Sequence, residues 1–251
     1  MDTIDQLLLF VISLLANLFS AFSGGGAGLI QLPALIFLGL PFGIALATHK
    51  VASVALGVGA TLRHIREKSL DRGFALFILG CGLPGVILGA NIILRIPGRW
   101  SEIALGLLTV GLGLYSVFQP GLGQNEHLRN RHRSGMIIGG ITLFFIGFLN
   151  GSLTSGTGLF VTLWLVRWFG LDYKRAVAYT LILVGLFWNG TGAITLGLLG
   201  EIQWSWLPAL LAGSLLGGYL GAHLAIKKGN KWIKRGFEIV TFLVGIKLII
   251  G

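Results

Sequence analysis

Two glycine-rich breaks in an otherwise apolar sequence contain residue types suited to binding an anion. They are Ser23-Gly24-Gly25-Gly26-Ala27-Gly28 and Asn150-Gly151-Ser152-Leu153-Thr154-Ser155-Gly156-Thr157-Gly158. A short apolar segment follows each break, and a helix that begins there presents unpaired N–H groups and the positive end of its dipole. Hydroxyl and amide side chains can add hydrogen bonds to the same anion. The residues predicted to bind substrate in the breaks are Ser23, Gly24, Gly25, Gly26, Gly28, Asn150, Ser152, Thr154, Ser155, Gly156 and Thr157. Packing and helix capping are the alternative roles for these residues.

A second polar group, Thr48, His49 and Lys50, lies in an apolar segment long enough to cross a membrane. Ionisable residues in such segments are costly and indicate function. We predict that all three residues contribute to the substrate site. Two positions are open to Lys50, one facing inward beside the anion and one extending toward the membrane surface. Asn189 in the second half is a further candidate for substrate contact, or for a hydrogen bond between helices.

The composition places these residues in an integral membrane protein. Of the 251 residues, 54% are hydrophobic and only 11% are charged, whereas soluble proteins have about a quarter charged residues. The 40 glycines suit close packing between membrane helices. The net charge of +10 is distributed in short runs between apolar segments, which argues against a nucleic-acid partner.

The sequence offers little for enzymatic chemistry. Cys81 is the single cysteine, which excludes an intramolecular disulfide, and the five scattered histidines do not form a cysteine-histidine metal cluster. The first break lacks the following Gly-Lys-Ser/Thr of a phosphate-binding loop. Without a paired carboxylate set or a Ser-His arrangement with recognisable spacing, we expect no enzyme activity, no metal and no cofactor.

The apolar segments divide into two related halves. We predict segments near residues 4–22, 29–40, 43–62, 73–94, 100–118, 135–150, 159–169, 175–198, 204–226 and 232–250. When the second half is overlaid on the first, Gly26 matches Gly156 and Trp100 matches Trp232 at nearly the same offset. A duplication explains this pattern, with repeats at 1–118 and 135–251 and a basic linker at 119–134.

The basic residues predict that the two repeats have opposite orientations. Most of the 19 lysines and arginines lie in loops 63–72, 119–134, 167–175 and 227–235, while the counterparts of several of these loops have few or none. If the basic loops are cytoplasmic, the segments around each break enter and leave on one side. The second arm of about 11 residues rises roughly 16–17 Å, about half the hydrocarbon core, so it cannot span alone. We therefore predict an all-α protein in which each repeat is a re-entrant hairpin plus three transmembrane helices, with both termini outside.

Three motifs resemble the sulfite exporter family of the TauE/SafE type. They are Gly-Gly-Gly-Ala-Gly-Leu-Ile-Gln-Leu-Pro at 24–33, Ala-Leu-Ala-Thr-His-Lys-Val-Ala-Ser at 45–53 and Gly-Ala-His-Leu-Ala-Ile-Lys-Lys-Gly at 221–229. The resemblance covers nearly the whole chain. It implies a bacterial or archaeal inner-membrane permease that exports sulfite or small organosulfur anions such as sulfoacetate. Similar proteins more often have Thr-Asn-Lys at 48–50, so His49 departs from the pattern.

The leading hypothesis is an alternating-access carrier in which two inverted halves exchange access around a central anion site. An anion channel, or a carrier for another small organic anion, is the alternative. Proton coupling through His49 is a further hypothesis, because histidine changes charge near neutral pH. We expect the lipid bilayer and a small sulfur-containing anion as partners, and a monomer or homodimer.

Overall fold

The computed structural model describes residues 3–67, 70–92, 98–153 and 156–250, and these residues form helices and short connections without a strand. Each predicted apolar segment corresponds to a helix, with boundaries that differ by a few residues. The helices are α1 (Thr3–Ser23), α2 (Gly28–Phe37), α3 (Phe42–His64), α4 (Arg72–Ile92), α5 (Gly98–Val117), α6 (Arg133–Ser152), α7 (Thr157–Arg167), α8 (Tyr173–Leu199), α9 (Leu207–Lys228) and α10 (Asn230–Ile250). The all-α fold class is therefore confirmed.

Within the described residues, six helices are long and apolar enough to cross a membrane. They are α1, α3, α4, α6, α8 and α9, of which α9 is extended by a preceding turn at Trp204–Trp206. The helices that follow the breaks have only 10 residues in α2 and 11 residues in α7, which is too short to span a bilayer. The protein is thus a multi-pass membrane protein with two short helices among its spans. The crossing of the membrane by α5 and α10, the inverted orientation and the position of the termini stay predictions.

The major helix pairs join the two halves of the sequence. α1 packs along α9, and α6 packs along α4, so the first helix of each half lies against the fourth helix of the other half. Gly85 of α4 contacts the backbone carbonyl of Phe144, and Gly217 of α9 contacts that of Leu14. Leu14 and Phe144 are separated in sequence by the same interval as Gly26 and Gly156 of the two breaks. Small residues therefore permit close helix packing at equivalent places in both halves.

The helices α3 and α8 pack directly against each other. The middle of α8, Thr180–Trp188, is a π-helix of nine residues. A Cβ atom at Gly57 of α3 would lie 2.6 Å from the backbone carbonyl carbon of Gly185. Two glycines therefore bring the two backbones into direct contact, and π-helical turns of this kind are frequent at functional sites.

Ion pairs connect the ends of α3 and α8. Glu67 follows α3 and accepts hydrogen bonds from Lys174 Nζ at 2.9 Å and from Arg63 Nη1 at 3.2 Å. The hydrogen bond from Lys174, followed by that from Arg63, lowers the pKa of the Glu67 carboxyl below its ordinary value. This cluster attaches the α3–α4 connection of the first half to the second half.

Candidate functional site

The first break reverses the chain through three glycines. Gly24, Gly25 and Gly26 have φ angles of +87°, +145° and +103°, a region that residues with a Cβ atom adopt only with strain. The N–H groups of Gly24 and Gly25 donate to the carbonyl of Ser20, which ends α1. The chain then turns directly into α2.

The second break also contains a glycine with a positive φ angle, and it touches the first break. Gly156 has a φ of +73° and precedes α7, while Thr154 and Ser155 lie outside the described residues. A Cβ atom at Gly25 would lie 2.5 Å from the carbonyl carbon of Gly158, so the backbones of the two breaks are in contact. The two glycine-rich segments, which lie in different halves of the sequence, therefore meet in the interior.

A small cavity of about 40 Å³, lined almost entirely by buried residues, lies beside this contact. Its wall combines both breaks with α3, the π-helical part of α8, and the asparagines at the end of α6 and in α8. Seven of the predicted site residues line it: Gly25, Gly26, Gly28, His49, Asn150, Thr157 and Asn189. The remaining lining residues are Ser20, Ala27, Ser53, Leu56, Gly158, Thr180, Leu181, Val184 and Gly185.

The N-termini of α2 and α7 both open onto this cavity. Gly28 begins α2 and Thr157 begins α7, and both line the wall. Within the described part of the chain, the N–H groups of Gly26, Ala27 and Gly28 have no acceptor. The positive ends of α2 and α7, together with these N–H donors, therefore lie at the same cavity.

Lys50 lies fully buried directly behind the cavity wall, so it does not snorkel to the membrane surface. Its Nζ atom donates to the Asn150 carbonyl at 2.6 Å, to Asn150 Oδ1 at 2.8 Å and to Asn189 Oδ1 at 3.1 Å. Asn150 in turn donates from Nδ2 to Thr157 Oγ1 at 2.9 Å. All three acceptors of Lys50 are neutral oxygens. A positive charge on Lys50 would thus be stabilised only by the dipoles of these carbonyl and amide groups, and the asparagines connect Lys50 to the cavity wall.

His49 connects the cavity to a row of buried polar side chains. Its Nε2 atom lies 3.2 Å from Ser53 Oγ, and its Nδ1 atom lies 2.6 Å from Gln31 Oε1. Gln31 Nε2 donates to Ser13 Oγ at 2.9 Å, and Ser13 Oγ donates to the Leu210 carbonyl at 2.7 Å. The row therefore runs from the cavity through α2 and α1 to α9.

Several predicted site residues form hydrogen bonds with nearby backbone groups and do not line the cavity. Thr48 Oγ1 accepts a hydrogen bond from the N–H of Gln203 at 3.0 Å, in the connection between α8 and α9. Ser23 and Ser152 donate to backbone carbonyls of their own helices, four residues earlier. The Gly24 carbonyl accepts from Thr162 Oγ1 at 2.6 Å, which fastens the first break to α7.

Three polar lining residues were absent from the predicted site, namely Ser20, Ser53 and Thr180. Ser53 follows His49 by four residues and shares its helix face, which was an available signal. Ser20 coincides with Asn150 when the two predicted repeats are overlaid, so the predicted duplication also indicated it. Thr180 begins the π-helix, a feature for which the hydrophobic pattern gives no signal.

These features define a polytopic helical membrane protein whose two broken helices meet at a buried polar cavity. A family model described as Sulfite exporter TauE/SafE matches residues 9–248. The chain belongs to this family, as the resemblance of its motifs indicated.

Relatives with similar sequences are described as transporters. The chain is 31% identical over 243 residues to a probable membrane transporter protein of Haemophilus influenzae, covering 96% of this chain and 93% of the relative. It is 28% identical over 242 residues to the probable membrane transporter protein YfcA of Escherichia coli, covering 96% and 88%. It is 26% identical over 269 residues to the probable membrane transporter protein YunE of Bacillus subtilis, covering 96% of each. No solved structure matches the chain. Family and relatives alike indicate a membrane transporter and not an enzyme.

Proposed function

We propose that this transporter is a secondary carrier that exports small sulfur-containing anions, such as sulfite or organosulfonates, through alternating access to the central cavity. The observation that carries the proposal is the convergence of two helix N-termini on one buried cavity, with Lys50 behind its wall. Opposed helix ends of this kind bind anionic groups in other transporters with broken helices.

The electrostatics of the cavity favour an anion over a cation. No aspartate or glutamate is among the lining residues in the described part of the chain. The basic group behind the wall is Lys50, whose acceptors belong to the neutral Asn150 and Asn189. A bound anion is attracted by the positive ends of α2 and α7, whereas a cation is repelled by them and finds no carboxylate among the lining residues described.

The arrangement of donors suits a compact oxyanion. N–H groups at Gly26 and Gly28 lie on one side, and Thr157 and Asn150 lie on the side of the second break. A sulfite, thiosulfate or sulfonate group has several oxygens directed apart, so it can accept from both sides at once. The description of the family supports a sulfur oxyanion among the small anions.

Alternating access requires that the halves move against each other around the site. The glycine contacts between Gly25 and Gly158 and between Gly57 and Gly185 are places where backbones meet without side chains. Such contacts can slide without repacking large groups, and both lie beside the cavity. We propose these two contacts as the pivots of the carrier, in the cell membrane of a bacterium or archaeon, with the protein as a monomer or homodimer.

Thermal-shift measurements on purified protein test the anion site. Sulfite, thiosulfate and sulfoacetate are compared with sulfate, simple carboxylates and sodium, because a ligand bound to the native state raises the unfolding temperature. Stabilisation by at least one sulfur oxyanion supports the proposal. Stabilisation by a cation, with no response to any sulfur oxyanion, contradicts it.

Counterflow in proteoliposomes tests the carrier mechanism. A carrier exchanges labelled thiosulfate or sulfite for the same unlabelled anion at a rate that saturates. In a channel, the flux of labelled anion is not coupled to an opposite flux of unlabelled anion. Saturable counterflow is expected. Conductance far above the turnover of a carrier would establish an anion channel instead.

A further inference from the structure

We infer that the cavity binds one proton together with its anion, and that His49 and Ser53 form the site of this proton. The proton resides on His49 Nε2 and redirects the Ser53 hydroxyl hydrogen toward the anion. This inference rests on the proposed anion carrier and specifies the ion that accompanies the substrate. Its evidence is the direction of the hydrogen bonds in the buried row from Ser53 to Leu210.

The row of hydrogen bonds has a fixed direction because it ends on a carbonyl. The Leu210 carbonyl at 2.7 Å can only accept, so Ser13 Oγ donates its hydrogen there and accepts from Ser214 Oγ, which lies 2.9 Å away. Ser13 must then accept from Gln31, which places the Gln31 amide nitrogen at Ser13 and its oxygen at His49. An amide oxygen has no hydrogen to donate. His49 Nδ1 is therefore the donor to Gln31.

The same direction determines the role of the other ring nitrogen. With the hydrogen on Nδ1, Nε2 of a neutral imidazole is an acceptor, so Ser53 donates to it across 3.2 Å. Both His49 and Ser53 line the cavity and both are buried. In the neutral state, then, the Ser53 hydrogen is engaged by His49 and is withheld from a substrate.

Protonation of His49 reverses the bond to Ser53. A proton taken from solvent at Nε2 makes that atom a donor, and Ser53 Oγ becomes its acceptor. The hydroxyl hydrogen of Ser53 must then turn to another acceptor, and the cavity is the space that Ser53 adjoins. A bound oxyanion receives this hydrogen bond and also compensates the new imidazolium charge.

The charges around His49 make proton and anion interdependent. Lys50 is its neighbour on α3, while the partners from α2 and α1 are the neutral Gln31 and Ser13. In the described part of the chain, no carboxylate pairs with His49 or lines its cavity. A positive charge on the buried His49 is unfavourable when the cavity holds no anion, and a bound anion reduces this penalty. By thermodynamic linkage, protonation of His49 strengthens anion binding by the same factor by which the bound anion strengthens protonation.

Proton uptake during anion binding tests the inference directly. Detergent-purified full-length protein is mixed with thiosulfate, sulfoacetate or sulfite in weakly buffered solution containing a pH indicator, and the buffering of each anion alone is subtracted. Between about pH 6 and 8 we expect net proton uptake when the anion binds, with a Kd that rises as the pH rises.

Two substitutions separate the roles of the pair. His49→Gln is expected to bind the anion without proton uptake and with a Kd that no longer depends on pH. Ser53→Ala keeps the histidine, so uptake persists while affinity falls about tenfold through the lost donor. His132→Gln, which changes an exposed histidine, is the matched control and is expected to behave as wild type.

The outcomes distinguish this inference from the function on which it rests. Anion binding without proton uptake by the wild type, or uptake that persists in His49→Gln, overturns proton linkage and leaves the anion carrier intact. Unchanged affinity in Ser53→Ala overturns the donor role of the hydroxyl. If none of the three sulfur oxyanions binds to the wild type, the proposed function fails and the inference fails with it.

Discussion

Replacing Gly25 by alanine tests whether the contact between the two breaks is essential. The new Cβ atom would lie 2.5 Å from backbone atoms of Gly158 and Leu159, whereas ordinary contact begins near 3.4 Å. The breaks must therefore separate by roughly 1 Å, with an overpacking cost of about 1–3 kcal/mol. A positive φ at a residue other than glycine adds about 1–3 kcal/mol.

Gly39→Ala is the matched control for the free-energy cost of a positive φ angle at alanine. Gly39 has a φ of +101°, but an added Cβ atom meets nothing within 4 Å. The difference in stability between the two variants therefore gives the cost of overpacking alone. At roughly 2–4 °C per kcal/mol for a chain of this length, Gly25→Ala should unfold about 2–12 °C below Gly39→Ala.

The two variants are compared by thermal unfolding in detergent and by anion counterflow in proteoliposomes. Gly25→Ala is expected to lose at least nine-tenths of the counterflow rate, because the displaced break forms the cavity wall. Gly39→Ala is expected to keep most of it. Equal unfolding temperatures and equal transport rates in the two variants would refute the reasoning that the breaks must touch.

Three further substitutions give distinct results. Lys50→Met removes the buried amine and leaves two oxygens of Asn150 unpaired. The Kd for thiosulfate in a thermal-shift titration should therefore rise at least tenfold, and an unchanged Kd would show that Lys50 does not contribute to the site. Glu67→Gln tests a carboxyl whose lowered pKa stabilises the fold above its ordinary pKa, a contribution lost as pH falls through the lowered value. The wild type should therefore unfold at a higher temperature than Glu67→Gln near neutral pH and at the same temperature in strong acid, and a difference that persists in acid would exclude this cause. Thr162→Val removes the hydrogen bond to the carbonyl of the first break and should lower the unfolding temperature by a few degrees, whereas Thr142→Val on an exposed face should leave it unchanged.

Much of the fold could be predicted from local sequence, because membrane helices reveal themselves by length and apolarity. The segment predicted at 43–62 is the helix Phe42–His64, and the one predicted at 159–169 is Thr157–Arg167. The breaks were also visible, because three consecutive glycines at 24–26 and the glycine- and hydroxyl-rich run at 150–158 have low helix propensity. The π-helix at Thr180–Trp188 escaped notice because its residues are as apolar as those of an α-helix.

The candidate site was predictable only in part, because a residue type does not reveal the direction of its side chain. Thr48, His49 and Lys50 are consecutive, yet they point to three different partners. Thr48 binds the α8–α9 connection, His49 borders the cavity, and Lys50 reaches the asparagines behind its wall. Successive residues of a helix are rotated by about 100°, so the neighbouring helices decide which of them borders the cavity.

The sequence by itself determined that this protein lies in a membrane, where its helices run, and where two of them break. These properties follow from local composition, because lipid selects apolar segments and glycine permits the backbone angles of a break. Only the tertiary structure decided that Gly25 meets Gly158 and that Lys50 is buried against Asn150 and does not extend to the membrane surface. Those contacts join residues from different halves of the sequence, and their geometry depends on how closely the helices of the two halves pack.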